Sequence, residues 1–237
     1  MKMPVTRRQA LAAASALAFA PFTVGAHAQE KVGMQLILAA DVSGSVNPTR
    51  YRTQQDGYLE ALGDSRVLNV IRELDPPVLA ITFIAWARDQ EVMVPWTRVQ
   101  DAGSMDVFRN RLKNSQRPQI GINTLISRAL LFCDRQFDQA FSGGRRVIDV
   151  SGDGDDNQGI GGLREVRDGL VAKGIVINGL PIIVKPPEYI FPPQPPEGLD
   201  VYYRNHVVGG AGHVTIESKG FDNFKQAILQ KLLLEIG

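Results

Sequence analysis

Two rhythms of hydrophobic and polar positions alternate along this chain. Short, continuous apolar runs recur at "MQLILAAD" (34–41), "PPVLAITFIAWA" (76–87), "RRVIDVSGD" (145–153) and "IVINGLPII" (175–183). Runs of this length without polar alternation read as strands buried on both faces. Between them lie stretches of helical character. Asn47 and Pro48 supply an N-cap and a first helical residue for "RYRTQQDGYLEALGD", continued by "RVLNVIREL". "MDVFRNRLKN" (105–114) and "TLISRALLFCDRQFDQ" (124–139) read as helices, and so does "LREVRDGLVAKG" (163–174), which Gly174 caps. "DQEVMVPWTRV" (89–99) follows the second strand after a very short connection and is expected to pair with it as an antiparallel hairpin. The closing stretch "FDNFKQAILQKLLLEI" puts Phe221, Phe224, Ile228, Leu232 and Ile236 on one helical face. "DVYYRNHVVGG" is expected to make a helical turn, and "HVTIES" (213–218) a last short strand. Strands alternating with helices predict an α/β domain: a doubly wound, mostly parallel sheet with one antiparallel edge strand and helices on both faces.

Two segments depart from this rhythm. Residues 1–28 pair a basic start (Lys2, Arg7, Arg8) with the apolar core "ALAAASALAFA" and the small-x-small site "AHA", the pattern of a secretory signal peptide. "TRRQAL" fits a twin-arginine signal, and Ala10, where a bulky apolar residue is usual, keeps ordinary Sec export open. The apolar core falls short of the ~20 residues a membrane span needs, although an uncleaved anchor stays open as an alternative. Residues 29–237 are expected to form one domain. Within it "KPPEYIFPPQPPEG" (185–198) holds six prolines, which exclude a helix or a central strand and predict a stiff loop.

Of 237 residues, 44% are hydrophobic and 22% charged, enough for a sizeable core. Loss of the leader, with three basic and no acidic residues, takes the formal net charge from +1 to −2, which argues against a nucleic-acid binder. The final helix carries few basic residues on its polar face, so it is expected to dock on the sheet rather than on a membrane. The one cysteine, Cys133, lies in an apolar helical pattern and reads as a core residue.

The chemistry gathers where strands end. Asp41, Ser43 and Ser45 follow the first apolar run at positions i, i+2 and i+4, which point the same way on extended backbone, and Gly44 allows a bend between the serines. One carboxylate and two hydroxyls then converge, suited to a hard divalent cation. A turn in which the same groups cap backbone donors is the competing reading. A later strand ends in Asp153, flanked by Gly152 and Gly154, and Thr124 stands at the start of a helix, where an ordinary N-cap role is the alternative.

Taken together, Asp41-Val-Ser43-Gly-Ser45, Thr124 in "NTLISRAL" and Asp153-Gly154 resemble the metal-ion-dependent adhesion site (MIDAS) of von Willebrand factor A (vWA) domains. The resemblance runs from about Lys31 to the final helix and is closest to small exported bacterial vWA proteins of uncharacterised function. It implies a Rossmann-like vWA fold. It implies that Ser43, Ser45 and Thr124 touch a metal directly or nearly so, and that Asp41 and Asp153 bind it directly or through water. Mg²⁺ or Mn²⁺ is the expected ion, with Ca²⁺ also compatible. Two carboxylates balance such an ion and the hydroxyls add no charge. The ion therefore stays electrophilic and offers a water-occupied position to an Asp or Glu of a partner protein. The expected function is an exported, periplasmic or secreted, non-enzymatic protein-binding module.

Two other functional classes compete with this one. A vWA scaffold with metal-independent contacts would use the proline-rich segment or Tyr202–Tyr203. A metal-dependent hydrolase lacks a Gly-x-Ser-x-Gly elbow, and the two histidines past the leader, His206 and His213, sit in a local glycine-rich stretch. Asp155 and Asp156 imitate part of a calcium loop. Gln158 and Arg164 stand where an EF-hand needs Gly and a bidentate Glu, so a solvated turn is the expectation there.

Overall fold

The computed structural model describes residues 30–137, 141–157, 162–184 and 195–237. The expected leader and most of the proline-rich run lie outside the described residues. Among the described residues, five strands form one sheet in the order β3-β2-β1-β4-β5: β1 (Met34–Asp41), β2 (Leu79–Trp86), β3 (Gln90–Val99), β4 (Arg145–Gly152) and β5 (Ile175–Pro181). β1 runs parallel to β2 and β4, and β5 parallel to β4, whereas β3 is antiparallel to β2 at the edge. An edge place suits β3, because Pro95 has no N–H to give a further neighbour.

The continuous apolar runs are explained by helices on both faces. Leu36, Leu38 and Ala40 point to a layer made by α1 (Pro48–Leu62), α2 (Ser65–Arg72), α3 (Ala102–Asn114) and α7 (Phe224–Ile236). Ile37 and Ala39 point to the other layer, built from α4 (Ile126–Phe137), α5 (Leu163–Ala172), α6 (Leu199–Tyr202) and the π-helical turn Tyr203–Val207 that continues it. Cys133 is buried in that second layer, and burial pushes its thiol up. From β1 the chain moves first outward to β2 and β3, then returns to β4 on β1's other side. The winding thus reverses between β1 and β4, and a crevice opens at the carboxyl ends of these strands.

Local signals account for the element ends. Asn47 Oδ1 accepts the backbone N–H groups of Thr49 and Arg50, each at 3.0 Å, ahead of Pro48. Gly174 ends α5 with φ +77°, a conformation open to glycine. The expected long first helix is two helices, because Asp64 caps a new one by accepting Arg66 N–H at 2.9 Å. α4 begins at Ile126, two residues after Thr124.

Residues 213–218 do not form the expected last strand. They follow the edge of β5 through isolated bridges, Gly179 with Thr215 and Ile182 with Ser218, and Pro181 between them has no N–H for a ladder. The buried face of α7 is not purely apolar: it also carries Lys231 and Glu235. Lys231 ion-pairs with Asp149 of β4 and, at 3.0 Å, with Glu235, and Asn178 Nδ2 of β5 donates to Glu235 at 2.9 Å. All three charged groups are fully buried.

Candidate metal centre

β1 and β4 lie side by side with Ala40 opposite Ser151, so their last residues deliver Asp41 and Asp153 to one crevice. Asp41 Oδ1 accepts the backbone N–H of Ser43 at 2.7 Å, which folds the chain back past Gly44. Ser43 Oγ and Ser45 Oγ lie 3.2 Å apart, and Ser45 Oγ donates to Asp153 Oδ1 at 2.5 Å. The structure therefore joins Asp41, Ser43, Ser45 and Asp153 in one continuous polar chain. Thr124 comes to the same place through Gly154. A Cβ on that glycine would stand 3.4 Å from Thr124 Oγ1. Thr124 is held by Asn157, whose N–H donates to its carbonyl at 3.0 Å and whose Oδ1 accepts its N–H at 3.3 Å.

The burial of this group is chemically costly. Asp41 is fully buried and Asp153 is 5% exposed. Burial, reinforced by the charge of Asp153, pushes the Asp41 carboxyl up to about 8, and burial also raises that of Asp153. Asp41 Oδ2 has no hydrogen-bond partner among the described residues. It lies 3.0 Å from where a Cβ on Gly152 would stand, so only glycine leaves space beside it. A buried carboxylate oxygen with no donor carries a desolvation penalty that a cation would remove.

The donor set fits a hard divalent ion: two carboxylates that balance its charge and hydroxyls that add oxygen ligands without charge. Among the described residues, no group of three or more His, Cys, Asp or Glu side chains is arranged to hold a metal. Any oxygen set at this place would therefore have to draw on the hydroxyls of Ser43, Ser45 and Thr124 as well as on the acids.

Two arginines that the sequence reading passed over shape the loop. Arg117, between α3 and α4, donates to the carbonyls of Val42 (2.6 Å), Ser43 (3.2 Å) and Val46 (3.2 Å). Arg50, in the first turn of α1, donates to Ser45 O at 2.9 Å and approaches Asp153 Oδ2 at 3.7 Å. Gln54 Nε2 adds a bond to the carbonyl of Asp41 at 3.0 Å. Arg50 had a signal, since a helix beginning at Pro48 carries its first turn to the same sheet edge. Arg117 had none: its partners lie more than 70 residues away.

The flanking residues are also placed. Asp156 is half-buried rather than a solvated turn. Its Oδ1 accepts Ser127 N–H at 3.4 Å near the start of α4, and its own N–H donates to Tyr202 Oη at 3.2 Å. His206 stacks on Tyr202 at 4.6 Å, and Arg164 Nε donates to its Nδ1 at 3.2 Å, beside an open pocket of about 380 Å³. Desolvation and the Arg164 cation lower its pKa. His213 Nδ1 lies 2.8 Å from Gly210 O. Tyr203 is fully buried beneath the site, so the expected Tyr202–Tyr203 contact surface does not exist as a pair.

Comparison with known proteins agrees with this architecture. Proximal thread matrix protein 1 from the mussel byssus, in a structure with a zinc-occupied MIDAS motif, superimposes with a TM-score of 0.58 at 14% identity, over 86% of this chain and 46% of that one. The von Willebrand factor type A protein from Catenulispora acidiphila gives 0.59 at 12% identity, over 87% and 43%. The conserved hypothetical protein BatB from Bacteroides thetaiotaomicron gives 0.55 at 20% identity, over 84% and 97%. The chain spans about half the length of the first two, and these likenesses show the fold. No curated protein matches the chain by sequence. Residues 31–237 match the family described as "Protein of unknown function (DUF1194)", and the chain therefore belongs to that family, built on the vWA fold.

Proposed function

We propose that this chain is an exported protein-binding module in which Asp41, Ser43, Ser45, Thr124 and Asp153 hold a divalent cation, Mg²⁺ or Mn²⁺, that takes an acidic side chain of a partner protein. The observation that carries this reading is Asp41 Oδ2, fully buried, without a hydrogen-bond partner among the described residues and beside a second buried carboxylate. The cation supplies a Lewis-acidic position for an incoming carboxylate. The chain's residues do the rest. Asp41 and Asp153 balance its charge, the hydroxyls of Ser43, Ser45 and Thr124 complete the oxygen set, and Arg117 fixes the loop that carries three of the five. The mussel protein's zinc-occupied motif supports a divalent ion in this fold. Among the described residues no helix is long and apolar enough to cross a membrane. A non-enzymatic role fits the surroundings, since both histidines beyond the leader are engaged in local contacts.

The test is calorimetric titration of Mg²⁺ and Mn²⁺ into EDTA-stripped protein, beside an Asp41→Ala/Ser43→Ala variant whose fold is checked by circular dichroism. Saturable binding of one ion per chain, lost in the variant, is expected. A wild type that binds neither ion sinks the proposal.

A further inference from the structure

We infer that Arg50 is a built-in counter-ion of this site, set to oppose the cation and keep its affinity low. The inference rests on the metal reading above and concerns its regulation. Arg50 is in the first turn of α1, and contacts with other described residues hold its guanidinium. Nη1 donates to Ser45 O at 2.9 Å, the same nitrogen lies 3.7 Å from Asp153 Oδ2, and the group sits over the Phe221 ring at 5.1 Å. The side chain is only 17% exposed, so water screens it weakly. Asp153 is thus engaged at both oxygens: Oδ1 accepts Ser45 Oγ at 2.5 Å, and Oδ2 faces the arginine.

A positive charge within 4 Å of a ligand oxygen has two consequences for a divalent ion. It lowers the electron density that Asp153 can offer, and it repels the ion directly. It also leaves the loaded site with a net positive charge, two from the ion and one from Arg50 against two carboxylates. An acidic side chain would then meet Arg50 as well as the metal. Empty, the site is partly neutralised by Arg50, which reduces the cost of burying Asp153.

The test is calorimetric titration of Mn²⁺ into the EDTA-stripped full chain as wild type, Arg50→Gln and Arg50→Lys. Removal of the charge in Arg50→Gln is expected to tighten binding about tenfold, an order set by one unit charge at short range. Arg50→Lys, which keeps the charge, is expected to stay near the wild-type affinity. Equal or weaker binding by Arg50→Gln overturns the inference and leaves Arg50 as a brace for the Ser45 carbonyl. Loss of binding in both variants has the same meaning. If wild type and Arg50→Gln both bind no ion, the metal reading falls and this inference falls with it. A measurement on the wild type guards against misfolded variants. The Arg50 Nε–Hε resonance is expected to shift as Mg²⁺ saturates the site, and an unchanged resonance at saturation overturns the inference.

Discussion

Gly152 has no room for a side chain. A Cβ there would lie 2.8 Å from Tyr203 Oη, 3.0 Å from Asp41 Oδ2 and 3.1 Å from Trp86 Cζ2. The glycine therefore preserves the space around the Asp41 carboxylate. Gly152→Ala is expected to destabilise the protein by about 1–3 kcal/mol through overpacking, and to weaken Mn²⁺ binding although every proposed ligand is retained. Urea denaturation and calorimetry read the two effects separately. The acids and hydroxyls of this site were legible because three of them fall within five residues and a fourth ends another apolar run. The crowding that makes glycine obligatory at 152 was not, because Tyr203 and Trp86 arrive from other elements.

At the scale of elements, the loop between β1 and α1 is shaped from outside. Its carbonyls at Val42, Ser43 and Val46 point at one guanidinium, that of Arg117, from the connection between α3 and α4. Several bonds from a charged donor hold a loop more firmly than its own turn chemistry does. Arg117→Ala is expected to cost about 1–3 kcal/mol of stability. It is also expected to weaken Mn²⁺ binding by about tenfold or more, as loss of an outer-shell partner commonly does. Thermal melts with and without Mn²⁺ check both. If the melts show the stability loss but affinity is unchanged, the arginine braces the fold without tuning the site. The edge of β5 shows the same dependence on context. "HVTIES" has the composition of a strand, yet Pro181 opposite it interrupts the ladder.

At the scale of the whole molecule, the buried group of Lys231, Asp149 and Glu235 ties α7 to the sheet. Two carboxyls share one lysine in a place without solvent. Desolvation pushes the Glu235 carboxyl up to about 7, against the attraction of Lys231 and the bond from Asn178. A carboxyl raised in the folded state binds its proton more tightly there than in the unfolded chain. Its contribution to stability is thus complete below the ordinary glutamate range and is lost as pH rises through about 7. Between pH 5 and pH 8 the wild type is expected to lose on the order of 2 kcal/mol from this group. Glu235→Gln, which mimics the protonated form, is expected to flatten that slope. Urea melts across this range decide it, and a variant with the wild-type slope would remove Glu235 from the account.

The sequence by itself determined the alternation of strands and helices, the antiparallel hairpin at β3, the Asn47–Pro48 start of α1 and the acids at the ends of β1 and β4. These follow from local periodicity and turn chemistry, which neighbouring residues carry without help. The tertiary structure alone decided that α7 buries Lys231 and Glu235, because an apolar pattern says which face is inward but not that Asp149 waits there to pair. It alone placed Arg117 on the loop carbonyls and, among the described residues, left Asp41 Oδ2 without a donor. Such features depend on the convergence of segments distant in sequence, where burial removes water and turns an ordinary charge into a constraint on everything packed around it.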